Sequence, residues 1–372
     1  MFISYLWRHN SVFMFIKNLT LQNFKNHSSR FIEFSPQINC IVGDNGIGKT
    51  NILDALHYLS VGKSFLGNSD LNNIAENEDF FSIEALISNE NKEDILKIIQ
   101  SKESRKIIKK NDKNYSKIAD HIGYLPSVMI SPYDQNLISD SSESRRKFMD
   151  AMISQTDREY LFSLIHYQKT LQQRNALLKN FQKSRTFDAD SLEIYDEPLI
   201  KYGQIIFEKR KKFIHEIIPV LQEYYNIISN QKEKVLISYQ SDLEQDFRVL
   251  LSENLEKDRI LTYTSKGVHK DDLLFEMNEQ LIKKIGSQGQ QKSFLIALKL
   301  SQMNLLKKLT GKTPILLLDD IFDKLDDSRV HQLVKLVNKE HFGQIFITDT
   351  HKERTENVVK NITEESKIFE IK

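Results

Sequence analysis

Residues 43–50 constrain the fold most, because their sequence GDNGIGKT matches the phosphate-loop pattern GxxxxGK[ST]. A short apolar run at 38–42 precedes the motif, and residues 51–59 follow it with apolar side chains at helical spacing. This order predicts a strand, a glycine-rich loop and a helix, which together form the core of an α/β nucleotide-binding fold. The alternative is an ordinary glycine-rich turn before a helix.

The glycines allow the backbone N–H groups to turn inward, and the helix N-terminus adds partial positive charge. Lys49 is predicted to contact the terminal phosphates of ATP, and the Thr50 hydroxyl is predicted to bind Mg²⁺. The loop residues predicted to bind the nucleotide are Gly43, Asp44, Asn45, Gly46, Ile47, Gly48, Lys49 and Thr50.

Bulk composition narrows the class of protein without defining it. The chain has 372 residues, enough for two lobes, and its 52 basic and 51 acidic residues nearly cancel. Net charge therefore gives no argument for a nucleic-acid partner, and any basic surface must be local. The single cysteine, Cys40, fits a reducing compartment. No apolar run is long enough to cross a membrane, so we expect a cytoplasmic protein with no membrane partner.

The pattern along the chain changes near residue 141. Short strand-like runs dominate up to about residue 115, and two long amphipathic helices, interrupted around 185–198, follow in an arm. Strand patterns return at 235–239 and 260–263. We predict one ATPase head formed by both chain ends, with its N-terminal half at 14–140, a helical arm lobe at 141–258 and its C-terminal half at 259–372.

A second set of candidate residues lies in the C-terminal third. Residues 315–318 form an apolar strand pattern that ends in two carboxylates, Asp319 and Asp320. We predict that Asp319 completes the Mg²⁺ shell beside Thr50 and that Asp320 polarises the attacking water. Taken alone the run is weak evidence, because many buried strands end in an aspartate at a loop.

Residues 286–293 have the sequence GSQGQQKS and precede another helical pattern. A serine with a neighbouring glycine at a helix start forms an anion-binding N-terminus, although such a turn is usually only a helix cap. The order of residues is similar to the signature loop of ABC-type ATPases, in which the serine and glycine contact the γ-phosphate held by the opposite subunit.

Taken together, the motifs resemble the RecF family of bacterial recombination-repair proteins from residue 14 to about residue 351. The strings that carry the resemblance are MFIKNLTLQNFKN (14–26), the phosphate loop, GKSF (62–65), SP (131–132), SRRKFMD (144–150), QRNALLK (173–179), GVHKDD (267–272), SQGQQK (287–292) and LLLDD (316–320).

The resemblance implies an ABC-type ATPase head, related to Rad50 and structural-maintenance proteins, that dimerises on ATP. It also implies binding to gapped or junction DNA with single- and double-stranded parts, and action with RecO and RecR to help load the RecA recombinase. The residues it assigns to the opposite nucleotide site or the dimer interface are Ser287, Gly289, Gln290 and Asp326.

Some positions depart from the family pattern or leave a choice open. Val268 and Lys270 replace the usual proline and arginine of the GPHRDD segment, and Leu66 replaces an arginine. Lysine lacks the bidentate fork of arginine, which puts contacts at position 270 in doubt. The switch position is either Thr348 or His351.

Local basic runs are the candidate DNA contacts. The first set lies on a predicted hairpin and comprises Arg105, Lys106, Lys109, Lys110 and Lys113, and the second is the run 209–212 on the arm. Such cations bind phosphate by releasing counterions. The alternative is that each run is a solvated face.

We therefore hypothesise a slow ATPase that works as a switch on DNA. Three other classes share part of the evidence. A nucleotide-binding subunit of an ABC transporter has both loops but lacks such an arm, a small-molecule kinase leaves SQGQQK unexplained, and a Rad50-like tether would need a longer arm.

Overall fold

The computed structural model describes residues 12–67, 69–89, 92–229, 233–320, 336, 343–360 and 365–371. The chain divides into two compact units. The first takes residues from Met1–Asp134, Ile227–Asn230 and Leu295–Lys372, so both chain ends contribute to it. The second takes Gln135–Asn226 and Gln231–Phe294. The predicted domain limits remain a prediction, since compactness does not define functional boundaries.

The described strands are β1 (Met14–Phe24), β2 (His27–Glu33), β3 (Ile38–Val42), β4 (Phe80–Asn89), β5 (Lys92–Ser101), β6 (Ile107–Lys110), β7 (Lys113–Asn114), β8 (Ser127–Ile130), β9 (Val235–Gln240), β10 (Asp272–Met277), β11 (Gln280–Leu281), β12 (Ile315–Leu318), β13 (Ile345–Asp349) and β14 (Ser366–Glu370). The described α-helices are α1 (Lys49–Val61), α2 (Asn136–Ser139), α3 (Ser142–Thr156), α4 (Arg158–Ser184), α5 (Ala189–Ser229), α6 (Phe247–Glu253), α7 (Leu255–Leu261), α8 (Ile282–Ile285), α9 (Gln288–Thr310) and α10 (Lys352–Lys360).

The first unit contains a parallel sheet in the order β14-β3-β13-β12-β8. The strands β3, β12 and β13 are buried along their whole length, as expected for a parallel sheet with both faces covered. Strand β13 lies between β3, which precedes the phosphate loop, and β12, which precedes Asp319. The sheet order therefore brings the C-terminal ends of these three strands to one edge.

A six-stranded antiparallel sheet, in the order β2-β1-β4-β5-β6-β7, completes the first unit. Helix α1 packs its apolar side chains with residues of this sheet in one core cluster. Phe24, Tyr58 and Phe81 meet edge to face within that cluster. The predicted hairpin between 105 and 113 is confirmed as β6 and β7.

The second unit is mostly helical and carries the small antiparallel sheet β11-β10-β9. Two long arm helices are confirmed as α4, with 27 residues, and α5, with 41 residues. The break between them is shorter than predicted, because α5 begins at Ala189 and contains Pro198. Among the helices whose residues are described, none has the length and apolarity needed to cross a membrane.

The predicted strand at 260–263 is wrong. Helix α7 occupies residues up to Leu261, and Thr262 ends it in the left-handed region with φ at 60°. The helical conformation places Asp258 where its carboxylate accepts a hydrogen bond from the buried Arg174 guanidinium at 2.8 Å. This long-range ion pair outweighs the local β propensity of a four-residue run.

Candidate nucleotide site

The phosphate loop is held by the turn between β1 and β2. Gly48 has φ at 105°, and a Cβ at this position would lie 2.4 Å from Asn26 Nδ2. Asn26 Nδ2 donates to the Ile47 carbonyl at 3.0 Å, and His27 Nε2 donates to the Gly48 carbonyl at 3.1 Å. Burial lowers the pKa of His27, so the ring is neutral at neutral pH. The φ of 105° favours glycine at position 48, and a Cβ there would also displace the Asn26 side chain from its contact.

Lys49 is buried at the start of α1, and its ammonium donates to the carbonyls of Gly43 and Asp44 at 2.8 and 2.9 Å. The cation is therefore fixed against the loop, beside the positive end of a helix. Backbone N–H groups, a helix N-terminus and a buried ammonium form a site for a polyanion such as a triphosphate. The residues of the loop thus fit ATP.

Asp319 follows β12 and connects the strands of the site. Its Oδ1 accepts hydrogen bonds from the hydroxyls of Thr50, at 2.9 Å, and Thr348, at 2.8 Å. Burial raises the pKa of Asp319, the neighbouring Asp320 raises it further, and the two hydroxyls oppose this rise. Adjacent hydroxyl and carboxylate oxygens are the ligands that Mg²⁺ prefers, so Thr50 and Asp319 fit this ion.

Asp320 has a strained backbone. Its φ of 43° lies in the left-handed region, which is unfavourable for a residue with a Cβ. Its N–H donates to the Thr348 hydroxyl at 3.0 Å. The same hydroxyl that donates to Asp319 therefore anchors Asp320, and one threonine holds both carboxylate residues.

The structure places the two candidates for the switch position in different environments, and the choice between them stays a prediction. Thr348 is fully buried in β13 and touches both aspartates, whereas His351 is exposed. The sequence signal for this contact was the position of Thr348 near the end of a strand adjacent to β12. Asp326, the predicted D-loop residue, lies outside the described residues.

The GKSF segment is fastened to α1. The Ser64 hydroxyl and the Phe65 N–H both donate to the Asp54 carboxylate, at 2.8 and 2.6 Å, and Lys25 forms an ion pair with it at 2.6 Å. Lys63 itself is exposed. Asp54 was missed by sequence reasoning, although a carboxylate inside the apolar run NILDALHYL was a signal for a buried polar contact.

The second predicted phosphate-binding element lies in the second unit. The Ser287 N–H donates to Gln290 Oε1 at 2.8 Å, and the Gln290 N–H donates to Ser287 Oγ at 3.3 Å. This reciprocal pair is a capping box at the start of α9. Ser287 is exposed, and the loop with Gly289 is therefore a formed helix N-terminus that faces solvent.

Some of the basic side chains predicted to contact DNA form hydrogen bonds or ion pairs within the protein. Lys106 binds Asp70 and the Gly62 carbonyl, both at 2.6 Å, and Lys110 pairs with Asp94 at 2.9 Å. Arg105 and Lys113 are exposed, and Lys109 is half-buried.

In the run 209–212, the Arg210 guanidinium is buried between Asp150 and Asp271, at 2.8 and 2.6 Å. Lys209 pairs with Asp157 at 2.5 Å, and Lys211 pairs with Glu244 at 3.1 Å. The buried Arg210 therefore holds elements of the fold together, whereas DNA contact by Lys209, Lys211 and Lys212 stays a prediction.

The parallel sheet with its phosphate loop and paired aspartates, the antiparallel sheet and the helical unit with a serine-capped loop define an ABC-type ATPase head. The family model for the RecF/RecN/SMC N-terminal domain matches residues 15–369. The protein described as DNA replication and repair protein RecF of Flavobacterium johnsoniae is 52% identical, over 96% of this chain and 100% of its own. The protein of the same description from Phocaeicola vulgatus is 45% identical, over 96% of both chains.

A solved structure of the recombination mediator protein RecF with ATP in the RecFOR pathway superposes with a TM-score of 0.86 at 32% identity, over 93% of this chain and 94% of its own. The Smc head domain of Pyrococcus furiosus reaches 0.53 at 17% identity, over 92% of both chains, which shows a shared fold alone. The chain belongs to the RecF family of ABC-type ATPases.

Proposed function

We propose that this protein is an ATP-driven switch of recombinational repair that binds DNA as a homodimer. ATP and Mg²⁺ are its cofactors, and slow hydrolysis resets it. The observation that carries the proposal is the 2.9 Å hydrogen bond between the Thr50 hydroxyl and the Asp319 carboxylate beside the phosphate loop. It joins two motifs that lie far apart in sequence into one set of metal-binding oxygens.

Within one subunit, Lys49 would balance the charge of the terminal phosphates, and Thr50 and Asp319 would hold Mg²⁺, which would supply positive charge at the phosphates. Asp320 orients and polarises the attacking water, with its backbone anchored by Thr348. Ser287, Gly289 and Gln290 complete the site of the opposite subunit, and Asp326 belongs to the dimer interface. The capped, solvent-facing helix N-terminus at Ser287 supports this role in trans.

The DNA substrate that we propose is a gap or a junction between single and double strands. Relatives whose printed descriptions name DNA replication and repair, and a solved relative described as a recombination mediator in the RecFOR pathway, support this assignment. We also propose RecO and RecR as partners, RecA as the recombinase loaded indirectly, and the cytoplasm as the location. Arg105, Lys109 and Lys113 on the hairpin, with the exposed Lys211 and Lys212 on the arm, remain candidate contacts to the DNA backbone.

The test compares Lys49→Arg and Asp320→Asn for retention on gapped DNA with Mg²⁺ and ATP. Lys49→Arg is expected to reduce nucleotide-dependent retention, because the longer, forked guanidinium does not fit the contacts of the ammonium. Asp320→Asn is expected to prolong retention, because it slows hydrolysis without removing a metal ligand. Glu253→Gln, at an exposed carboxylate, is the matched control. Unchanged retention in both site variants would refute the proposal.

A further inference from the structure

Three side chains and one backbone N–H link the end of the arm helix α5 to the serine-capped loop, and all belong to the second unit. The Tyr225 hydroxyl donates to Glu233 Oε2 at 2.9 Å, and Gln290 Nε2 donates to Glu233 Oε1 at 2.6 Å. Gln290 Oε1 in turn accepts from the Ser287 N–H at 2.8 Å. The two oxygens of one carboxylate therefore connect a helix residue to the loop.

The segment that carries Glu233 is also fixed to α5 through its backbone. Gln222 Nε2 donates to the Glu233 carbonyl at 3.0 Å, and Gln222 Oε1 accepts from the Val235 N–H at 2.8 Å. Tyr225 is fully buried, so its ring cannot turn away without repacking the helix. Glu233 is thus held at its backbone and at its side chain by two residues of the same helix.

The chemistry of the groups gives the chain of hydrogen bonds one direction. An amide side chain has a donor end and an acceptor end, whereas an ionised carboxylate only accepts. Glu233 therefore selects the Nε2 end of Gln290 and leaves Oε1 for the Ser287 N–H. With Oε1 held there, the Ser287 backbone is fixed and its hydroxyl stays on the exposed side of the helix N-terminus.

We propose that Glu233 is a positioning residue for the serine-capped loop, and that Tyr225 and Glu233 couple this loop to helix α5. The inference rests on the proposed function, in which the loop completes the nucleotide site of a second subunit. Glu233 does not touch nucleotide. It sets the geometry of the loop that does, so a displacement of the end of α5 changes how well two subunits close on ATP.

The test measures ATP-dependent dimerisation in an Asp320→Asn background, together with nucleotide binding to the monomer. Glu233→Ala is expected to weaken the dimer about tenfold, because the Gln290 amide loses the charged partner that orients it. Nucleotide affinity of the monomer and thermal unfolding are expected to stay unchanged. Glu223→Ala removes the same charge from an exposed site on α5 and is expected to leave dimerisation unchanged.

Glu233→Gln keeps one accepting oxygen and is expected to restore dimerisation to within about threefold of the parent. A dimer as tight in Glu233→Ala as in the Glu223→Ala control would overturn the proposal. Equal losses in Glu233→Gln and Glu233→Ala would also contradict it, since the accepting oxygen would then have no role.

Tyr225→Phe tests whether the contacts act in series. It is expected to weaken the dimer about threefold, and the double variant with Glu233→Ala is expected to match Glu233→Ala alone. Additive losses of dimer affinity would show that Tyr225 acts independently of Glu233. Failure of the parent itself to dimerise on ATP would refute the proposed function, whereas a parent dimer insensitive to Glu233→Ala would refute only this inference.

Discussion

The ion-paired carboxylates of the second unit and Asp319 of the first unit differ in their partners. In the second unit, the buried Asp258 and Asp271 and the half-buried Asp150 bind the guanidinium groups of Arg174 and Arg210. Asp319 in the first unit instead accepts from the hydroxyls of Thr50 and Thr348. The buried ion pairs of the second unit carry their own countercharge, whereas hydroxyl partners leave the negative charge of Asp319 for a cation.

This difference distinguishes carboxylates that hold elements of the fold together from a carboxylate that is available to bind a cation. Removing one partner of a buried ion pair leaves an uncompensated charge inside the protein, so such pairs hold elements together. Burial raises the pKa of Asp319 although its hydroxyl partners oppose the rise, and this carboxylate gains most from a bound divalent ion. The charges of the arm therefore hold its elements together, whereas the charge of Asp319 in the nucleotide site is available to bind a cation.

Arg210→Ala is expected to have the largest effect on stability, about 3–5 kcal/mol, because it leaves the buried Asp271 without its countercharge and removes a partner of the half-buried Asp150. Urea unfolding monitored by circular dichroism measures the loss. Lys212→Ala, two residues away and exposed, is the control and is expected to change stability by less than about 0.5 kcal/mol. Equal small losses in both variants, with weaker DNA binding for Arg210→Ala, would make Arg210 a DNA contact after all.

Asp319→Asn is expected to lower Mg²⁺-dependent ATP hydrolysis about 100-fold or more, because it removes a charged metal ligand.

The same substitution is expected to raise the free energy of unfolding, whereas Arg210→Ala is expected to lower it. The raised pKa means that the folded chain keeps the Asp319 proton to higher pH than the unfolded chain. Between the ordinary carboxyl value of 3.8 and the raised value, this group therefore makes stability fall as pH rises.

The free energy of unfolding, measured without Mg²⁺ at several pH values, tests the direction of this pH dependence. The stability of Asp319→Asn relative to the parent is expected to increase as pH rises through this window. A relative stability that decreases with pH would mean that the ionised carboxylate is favourably paired in the folded chain, and the contrast between Asp319 and the ion-paired carboxylates would disappear.

Thr348→Val is expected to cost about 1–3 kcal/mol and to slow hydrolysis about tenfold, since one hydroxyl bonds Asp319 and anchors the strained Asp320 backbone. Thr348→Ser keeps the hydroxyl and is expected to recover most of the rate. Single-turnover hydrolysis separates this effect from nucleotide binding. A serine variant as slow as the valine variant would show that the methyl group, not the hydroxyl, matters.

The hairpin cations provide the smallest expected effect. Lys113→Ala at an exposed position is expected to weaken binding to gapped DNA a few-fold and to reduce the salt dependence by about one phosphate contact. Lys106→Ala is expected to lower stability and leave the salt dependence unchanged, because Lys106 pairs with Asp70. The reverse assignment of the two effects would contradict the distinction between paired and exposed cations.

The site could be predicted from sequence where its signal is local. The phosphate loop is a contiguous motif between a strand and a helix, and Asp319 and Asp320 end an equally clear apolar strand. The role of Arg210 could not be predicted, because KRKK looks solvent-facing and its partners lie 60 and 61 residues away. The helix at 255–261 was missed for the same reason, since Arg174 lies 84 residues from Asp258.

The central claim is that ATP is held between two copies of this chain, one contributing Lys49 and the other the Ser287 loop. Sedimentation velocity of Asp320→Asn at saturating Mg²⁺ and ATP tests it most directly, with ADP as the reference. The account predicts a dimer with ATP and a monomer with ADP, and Ser287→Arg is expected to remain monomeric in both. A monomer at saturating ATP in the hydrolysis-blocked chain would contradict the account.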